Sequence, residues 1–137
     1  MITFNEYFGP WLDHPDATDE RKANAVRLLS CCDSLERLAM ADGVAFPVNA
    51  ATDSGVSGSE YGGFRPQSCP IGAPHSAHKE ALAVDRYDPL GEIDTWCLNN
   101  LDKLEQCGIY LEAPVSTKGW SHWTVRAPAS GHQVFFP

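Results

Sequence analysis

Ser76-Ala77-His78-Lys79-Glu80-Ala81-Leu82-Ala83-Val84-Asp85 is the stretch on which the reading of this chain turns. It sets a loop-borne His and an Asp six intervening residues apart, with the Asp closing the apolar run Ala81-Leu82-Ala83-Val84. That run predicts a short buried strand. A neutral imidazole and a carboxylate both suit zinc, and a turn between them can bring the two together. Catalytic zinc typically takes three protein ligands and keeps one position open, so a third donor must come from elsewhere. Gly119-Trp120-Ser121-His122-Trp123-Thr124 offers His122 among bulky residues that favour a strand. Alternation there puts Trp120, His122 and Thr124 on one face and Ser121 and Trp123 on the other. Trp120 is therefore expected to wall the site beside His122. Taken alone, a His/Asp pair is weak, since a capping Asp and a surface His are common.

Upstream, Asp16-Ala17-Thr18-Asp19-Glu20 opens a helix, with Asp or Thr as its cap and acids in its first turn. Ala25, Leu28, Leu29, Cys32, Leu35, Leu38 and Ala39 recur at helical spacing, and Asp42-Gly43 ends the run. Phe8-Gly9-Pro10-Trp11-Leu12 reads as an apolar segment laid against the body, and Val44–Asn49 as a short strand. Thr52 to Gly63 and Cys69 to Pro74 are loop-like. Downstream, Asp88-Pro89 starts a second helix, with Ile93, Trp96, Cys97, Leu101 and Leu104 on its apolar face and Gly108 as its stop. Ile109–Leu111, Trp120–Val125 and Gln133–Phe136 read as strands. The pattern predicts a single α+β domain spanning residues 1–137, with a small antiparallel sheet packed with two main helices. Within it, residues 1–43 are expected to be helical and residues 44–137 to form the metal-site core.

Composition narrows the function classes. Ten Lys+Arg against eighteen Asp+Glu give a formal charge of −8, which argues against a nucleic-acid partner, because neutralising phosphates needs a basic face. No apolar window approaches the length of a membrane span. Met1-Ile2-Thr3-Phe4-Asn5-Glu6 shows no secretory signal. The five Cys are odd in number and lack a CxxC pair, so they read as free thiols.

One ordered series of motifs adds to this. Gly63-Phe64-Arg65-Pro66, Gly72-Ala73-Pro74, Ser76-x-His78 with Asp85 and then Trp120-x-His122 follow one another. The series resembles the zinc D-Ala-D-Ala carboxypeptidase and L-alanyl-D-glutamate peptidase family, whose fold is shared with the hedgehog signalling domain. The resemblance covers about half of the chain, from Gly62 to Trp123. The ending Arg126-Ala127-Pro128 to Phe136-Pro137 looks like small phage members of that group. The resemblance implies Zn2+ held by His78, Asp85 and His122, and an Arg65 that holds substrate carbonyl or carboxylate groups. It places Ser76 beside the metal, toward loop or substrate. His75 is expected to line the cleft.

The departure from the family is at Gly119, where many members carry a Glu or Asp three residues before the final His. The nearest acid is Glu112, ten residues before His122, and a hairpin returning it to the metal would make it the base. His14 and His132 read as exposed loop residues. Two functions follow from the resemblance. One is a zinc metallopeptidase, a carboxypeptidase or endopeptidase that hydrolyses peptidoglycan stem peptides. This hydrolase would serve cell wall degradation from the host cytoplasm or the virion of a phage. The other is a catalytically impaired, metal-retaining structural or binding domain of a phage or virion assembly, set among other phage proteins, and a third reading takes the cleft as a sensor of small peptides.

Overall fold

Thr18 starts the longest helix as an extended residue whose hydroxyl accepts from Arg21 N. In a computed structural model that describes residues 1–137, that helix is α2 (Asp19–Ala41), preceded by a short α1 (Phe4–Phe8) and a 3-10 turn at Gly9–Trp11. The apolar stripe of α2 buries Ala25, Leu28, Leu29, Cys32, Leu35 and Ala39, while Leu38 is only half-buried. The stripe meets Tyr7, Phe8, Phe64, Val84, Leu111 and Trp123 in a single cluster that joins the N-terminal helices to the site-bearing region.

The remaining elements are β1 (Ala83–Tyr87), α3 (Glu92–Leu98), α4 (Leu101–Cys107), β2 (Tyr110–Glu112), β3 (Trp120–Thr124) and β4 (Val134–Phe135). They make an α+β structure with a four-stranded sheet in the order β1-β3-β2-β4. The sheet corrects the expectation of an antiparallel one. β4 runs parallel to β2, pairing Leu111 with Val134 and Glu112 with Phe135, so the sheet is mixed. β3 runs opposite to β2, and the chain reverses again after β3 and crosses to the far side of β2, so β4 comes in parallel to β2.

Two other expectations change. The helix expected from Asp88 to Gly108 is two helices, because Asn99 and Asn100 turn their side-chain amides back onto the carbonyls of Thr95 and Trp96. These bonds compete with the helix ladder, and Asn100 leaves helical geometry. Val44–Asn49 forms no strand: Pro47 interrupts it, and only Asn49 makes an isolated bridge, to Ser54. Asn49 instead spans the following loop, donating its amide to the carbonyls of Val56 and Gly58 at 3.0 and 2.7 Å. No helix is long and apolar enough to cross a membrane, and all five Cys are free. His132 is exposed, whereas His14 is half-buried and accepts from Asp16 N.

The face of β1 toward α2 carries a buried cation. Arg86 Nη2 approaches Glu36 Oε2 of α2 at 2.9 Å, and its guanidinium lies over the rings of Phe46 and Trp123 at 4.8 and 5.2 Å. The N-terminal amine also reaches Glu36, at 3.2 Å. Arg86 Nε and Nη1 have no hydrogen-bond partner, so the pair is held by charge and stacking rather than aligned donors. Removing one member of such a pair strands the other. Glu36→Ala is expected to cost about 3–5 kcal/mol in urea unfolding, and Glu36→Leu combined with Arg86→Met to recover most of it. Equal losses in the single and double variants would refute this coupling.

Asp94, on the buried side of α3, has one carboxylate oxygen 3.4 Å from Thr117 Oγ1 and the other unpartnered. Burial pushes its pKa up to about 6, against the Ser121 and Thr117 hydroxyls and with the help of neighbouring Asp88 and Glu112. The raised value favours the neutral acid in the folded chain. Its contribution is therefore full below about pH 4 and is lost as pH rises through about 6. In metal-free protein, Asp94→Asn should gain stability over wild type by on the order of 2 kcal/mol between pH 4 and 7. A wild-type-to-variant difference that does not change with pH would exclude the effect.

Candidate metal centre

The site is built where β1 and β3 face each other. Asp85 pairs with His122 in the antiparallel register. The backbone of Asp85 bonds on its other side, donating to Gly62 O at 2.7 Å and accepting from Ser57 N at 2.8 Å. Asp85 and His122 are therefore a pair not bonded to each other through the backbone, the arrangement that brings facing side chains closest. The third residue, His78, comes from a 3-10 turn at Ala77–Glu80 whose first N–H groups are met by Ser76: its Oγ accepts from His78 N. Ala81 ends the turn in a left-handed conformation and the chain enters β1.

The three side chains are buried and their ligand atoms converge. His122 Nδ1 is 2.8 Å from Asp85 Oδ1, and His78 Nε2 is 3.3 Å from both Asp85 Oδ1 and His122 Nδ1. A tetrahedral ion with bonds of about 2.0–2.1 Å holds its ligand atoms about 3.3 Å apart, so these donors fit a small divalent cation with one face open. The tautomer of His78 is set as well. Its Nδ1 lies 2.8 Å from Gly63 O, a carbonyl that can only accept, so Nδ1 donates and the Nε2 lone pair faces the cluster.

Protonation states agree with metal binding. Burial pushes the His78 imidazole down from its usual value, against the pull of Asp85, so it is neutral near pH 7. Burial alone would raise the Asp85 carboxyl, but the attraction of His78 in its protonated form and a hydrogen bond from His122 hold it well below the usual carboxylate range. Arg65 Nη2 adds a further contact to Asp85 Oδ2 at 3.2 Å.

The segment before the turn explains the glycines that precede Arg65. A Cβ on Gly63 would run into the Tyr7 carbonyl oxygen, and one on Gly62 into that of Ser57. Only glycine lets this segment pass close enough for Gly62 O to reach Asp85 N and Gly63 O to reach His78. Arg65 follows with Nε on Tyr61 O at 2.7 Å. Its Nη1 borders the loop at Gly72, whose positive φ of 84° curves the 71–76 segment over it.

A cleft of about 760 Å³ opens over the three donors. The structure brings every residue singled out in the sequence to this cleft: Arg65, His75, Ser76, His78, Asp85, Glu112, Trp120 and His122 all line it. Their roles differ. His75 is exposed and offers its carbonyl to Arg126 Nη1 at 2.8 Å, and Ser76 Oγ is engaged in capping the turn. Glu112 lies one register step beyond the Leu111–Trp123 pair of β2 and β3, which sets it opposite His122. Its Oε2 is 3.7 Å from His122 Nδ1. Burial raises its pKa, with His122 pulling the other way. Gly119 takes φ 94° at the turn into β3 and its carbonyl accepts from Asp88 N, a backbone role that suits glycine. Residues that the motif series does not include also wall the cleft, among them Arg126, Phe135 and Phe136. The only signal for Arg126 in the sequence is its place at the start of the C-terminal motif Arg126-Ala127-Pro128.

Comparison of the chain with protein-family models, with curated proteins and with solved structures returns no match. The chemistry of the site therefore rests on its own geometry.

Stoichiometric divalent metal should bind at this cluster and, at a hundred-fold excess over Kd, raise unfolding free energy by about 2.7 kcal/mol. Thermal denaturation with and without chelator measures it. His78→Ala should lose both the bound metal and the stabilisation, and an unchanged melting shift in that variant would place the metal elsewhere.

Proposed function

We propose that this protein is a zinc-dependent hydrolase of peptide bonds. The observation that carries the reading is a carboxylate, Glu112, 3.7 Å from a donor atom of a buried His-Asp-His cluster at the floor of an open cleft. Two imidazoles and a carboxylate favour zinc over the harder cations that prefer oxygen alone. Zinc bound there supplies a Lewis acid and makes water an effective nucleophile near neutral pH.

The chain's own groups account for the remaining steps. Glu112 takes the proton of the attacking water and returns it to the leaving amine as the C–N bond breaks, leaving a carboxylate and a free amine. The upward push on its pKa brings it nearer the operating pH than an exposed Glu. Arg65 has Nε and Nη2 committed to Tyr61 O and Asp85, which fixes its plane and leaves Nη1 beside Gly72 in the wall of the cleft. From there it stabilises negative charge on the substrate carbonyl oxygen. Trp120 and Phe135 add apolar wall to the cleft that holds the donors.

The motif series from Gly63 to His122 supports cell-wall stem peptides as the substrate, and with them the hedgehog/DD-peptidase fold and a phage-encoded role in cell wall degradation. A metal-retaining binding domain of a phage assembly is the competing reading. It rests on Gly119 in place of an acid, a loss that Glu112 offsets with a carboxylate from the adjacent strand.

Digestion of purified peptidoglycan fragments, with and without chelator, tests the function. Glu112→Gln should lower kcat by about 10²–10⁴-fold while zinc content stays the same. Unchanged turnover in Glu112→Gln would remove Glu112 as the base. A zinc-loaded wild type that binds fragments but never cleaves them would favour the binding domain.

A further inference from the structure

Arg126 is the cation of the cleft whose charge is unspent. Arg65, the other Arg lining it, is paired with Asp85 and bonded to Tyr61 O. Arg126 is exposed, makes no ion pair, and uses one donor, Nη1, on the His75 carbonyl at 2.8 Å. A guanidinium has five N–H donors in a planar fork, so the remaining ones are free for a planar anion.

Its position is set by the backbone. Val125 N donates to Leu82 O at 3.0 Å, which continues the β1–β3 ladder beyond Thr124. Thr124 Oγ1 bonds both Leu82 O and Arg126 N, fixing the chain as it leaves the strand. His122, Thr124 and Arg126 line the same cleft, the last of them from the bend that follows β3. Arg126 lies four residues past His122, of which only the first two are strand, so their Cα atoms are no more than about 14 Å apart, and the Arg side chain shortens the gap its charge must bridge. A substrate lying extended along this wall advances about 3.3 Å per residue. Overall charge sharpens the point. A chain of net charge −8 repels anionic ligands at long range, so a free guanidinium inside the cleft marks a local exception.

We propose that Arg126 is a substrate-binding subsite that takes a carboxylate two or three residues from the bond that is cut, so that the substrate is an acidic peptide. The location of that bond rests on the hydrolase reading above. The subsite itself rests on Arg126.

The test uses the full chain loaded with zinc and alanine pentapeptides, N-acetylated and C-amidated, with a single Glu or Gln placed at each position in turn. Calorimetric binding and, where cleavage occurs, KM and kcat are compared for wild type, Arg126→Gln and Arg126→Lys. Wild type should prefer one Glu peptide over its Gln counterpart by about 10-fold or more, as expected when a charged hydrogen bond of roughly 1.5–3 kcal/mol is lost. Arg126→Gln should erase that preference by weakening the Glu peptide alone, with zinc content and melting temperature unchanged. Arg126→Lys should keep a fraction of it, since a point charge replaces the fork. No Glu preference at any position in wild type would overturn the proposal. So would a loss in Arg126→Gln that is equal for Glu and Gln peptides, which would mean that Arg126 only ties the 71–76 loop through His75. A preference seen in binding and lost in Arg126→Gln, without cleavage of any peptide, would retain the subsite and reject the hydrolase.

Discussion

Asp85 is the residue through which the rest of the site is connected. Its backbone is held by Gly62 and Ser57 on one side of β1, while its side chain receives His78, His122 and Arg65 on the cleft face. A buried carboxylate is stable here only because each of its three neighbours is itself placed by the fold. His78 is fixed by Gly63 O and the Ser76-capped turn, His122 by strand register, and Arg65 by Tyr61 O. Displacing any one loosens the others, since they share one carboxylate.

The same two strands carry opposite chemistry on their two faces. Asp85 and His122 face the cleft, and the neighbouring Arg86 and Trp123 face α2. The Arg86–Glu36 pair links the sheet to the long helix directly behind the metal donors, and Trp123 covers it with an indole whose N–H is met by Ser121 at 2.9 Å. Strand alternation thus ties the integrity of the core to the spacing of the donors, because a slip of one residue would exchange the two faces. Burial acts differently on each titratable group here. It keeps His78 neutral and raises Glu112, while Asp85 stays ionised because its partners outweigh the desolvation.

Much of the local structure is legible from residue pattern. The capped start of α2, its apolar stripe and its Gly43 stop follow from short-range rules, as do the strand around Val84 and Asp85 and the shared face of Trp120 and His122. The failures are also physical. Nothing in a hydrophobic period marks Asn99-Asn100 as a break, because the amides act by competing for carbonyls already present. The strand expected at Val44–Asn49 yields to Pro47 and to an Asn49 side chain that organises the next loop. Arg126 is legible only as the start of the C-terminal motif and not as a cleft residue, because it lies in a bend beyond the last strand residue, where alternation no longer fixes a face.

Residue chemistry and a two-residue repeat within one strand are enough to specify the donor types, their order along the chain and the faces on which they lie. They do not specify that His78, Asp85 and His122 meet within 4.8 Å, that Glu112 stands beside His122, or that β4 closes the sheet in parallel. Those relations cross from one segment to another, so they belong to the folded molecule. They depend on register between β1 and β3, on the close passage that Gly62 and Gly63 allow, and on the path the chain takes after Thr124. No local propensity sets them, and packing of the whole chain selects them.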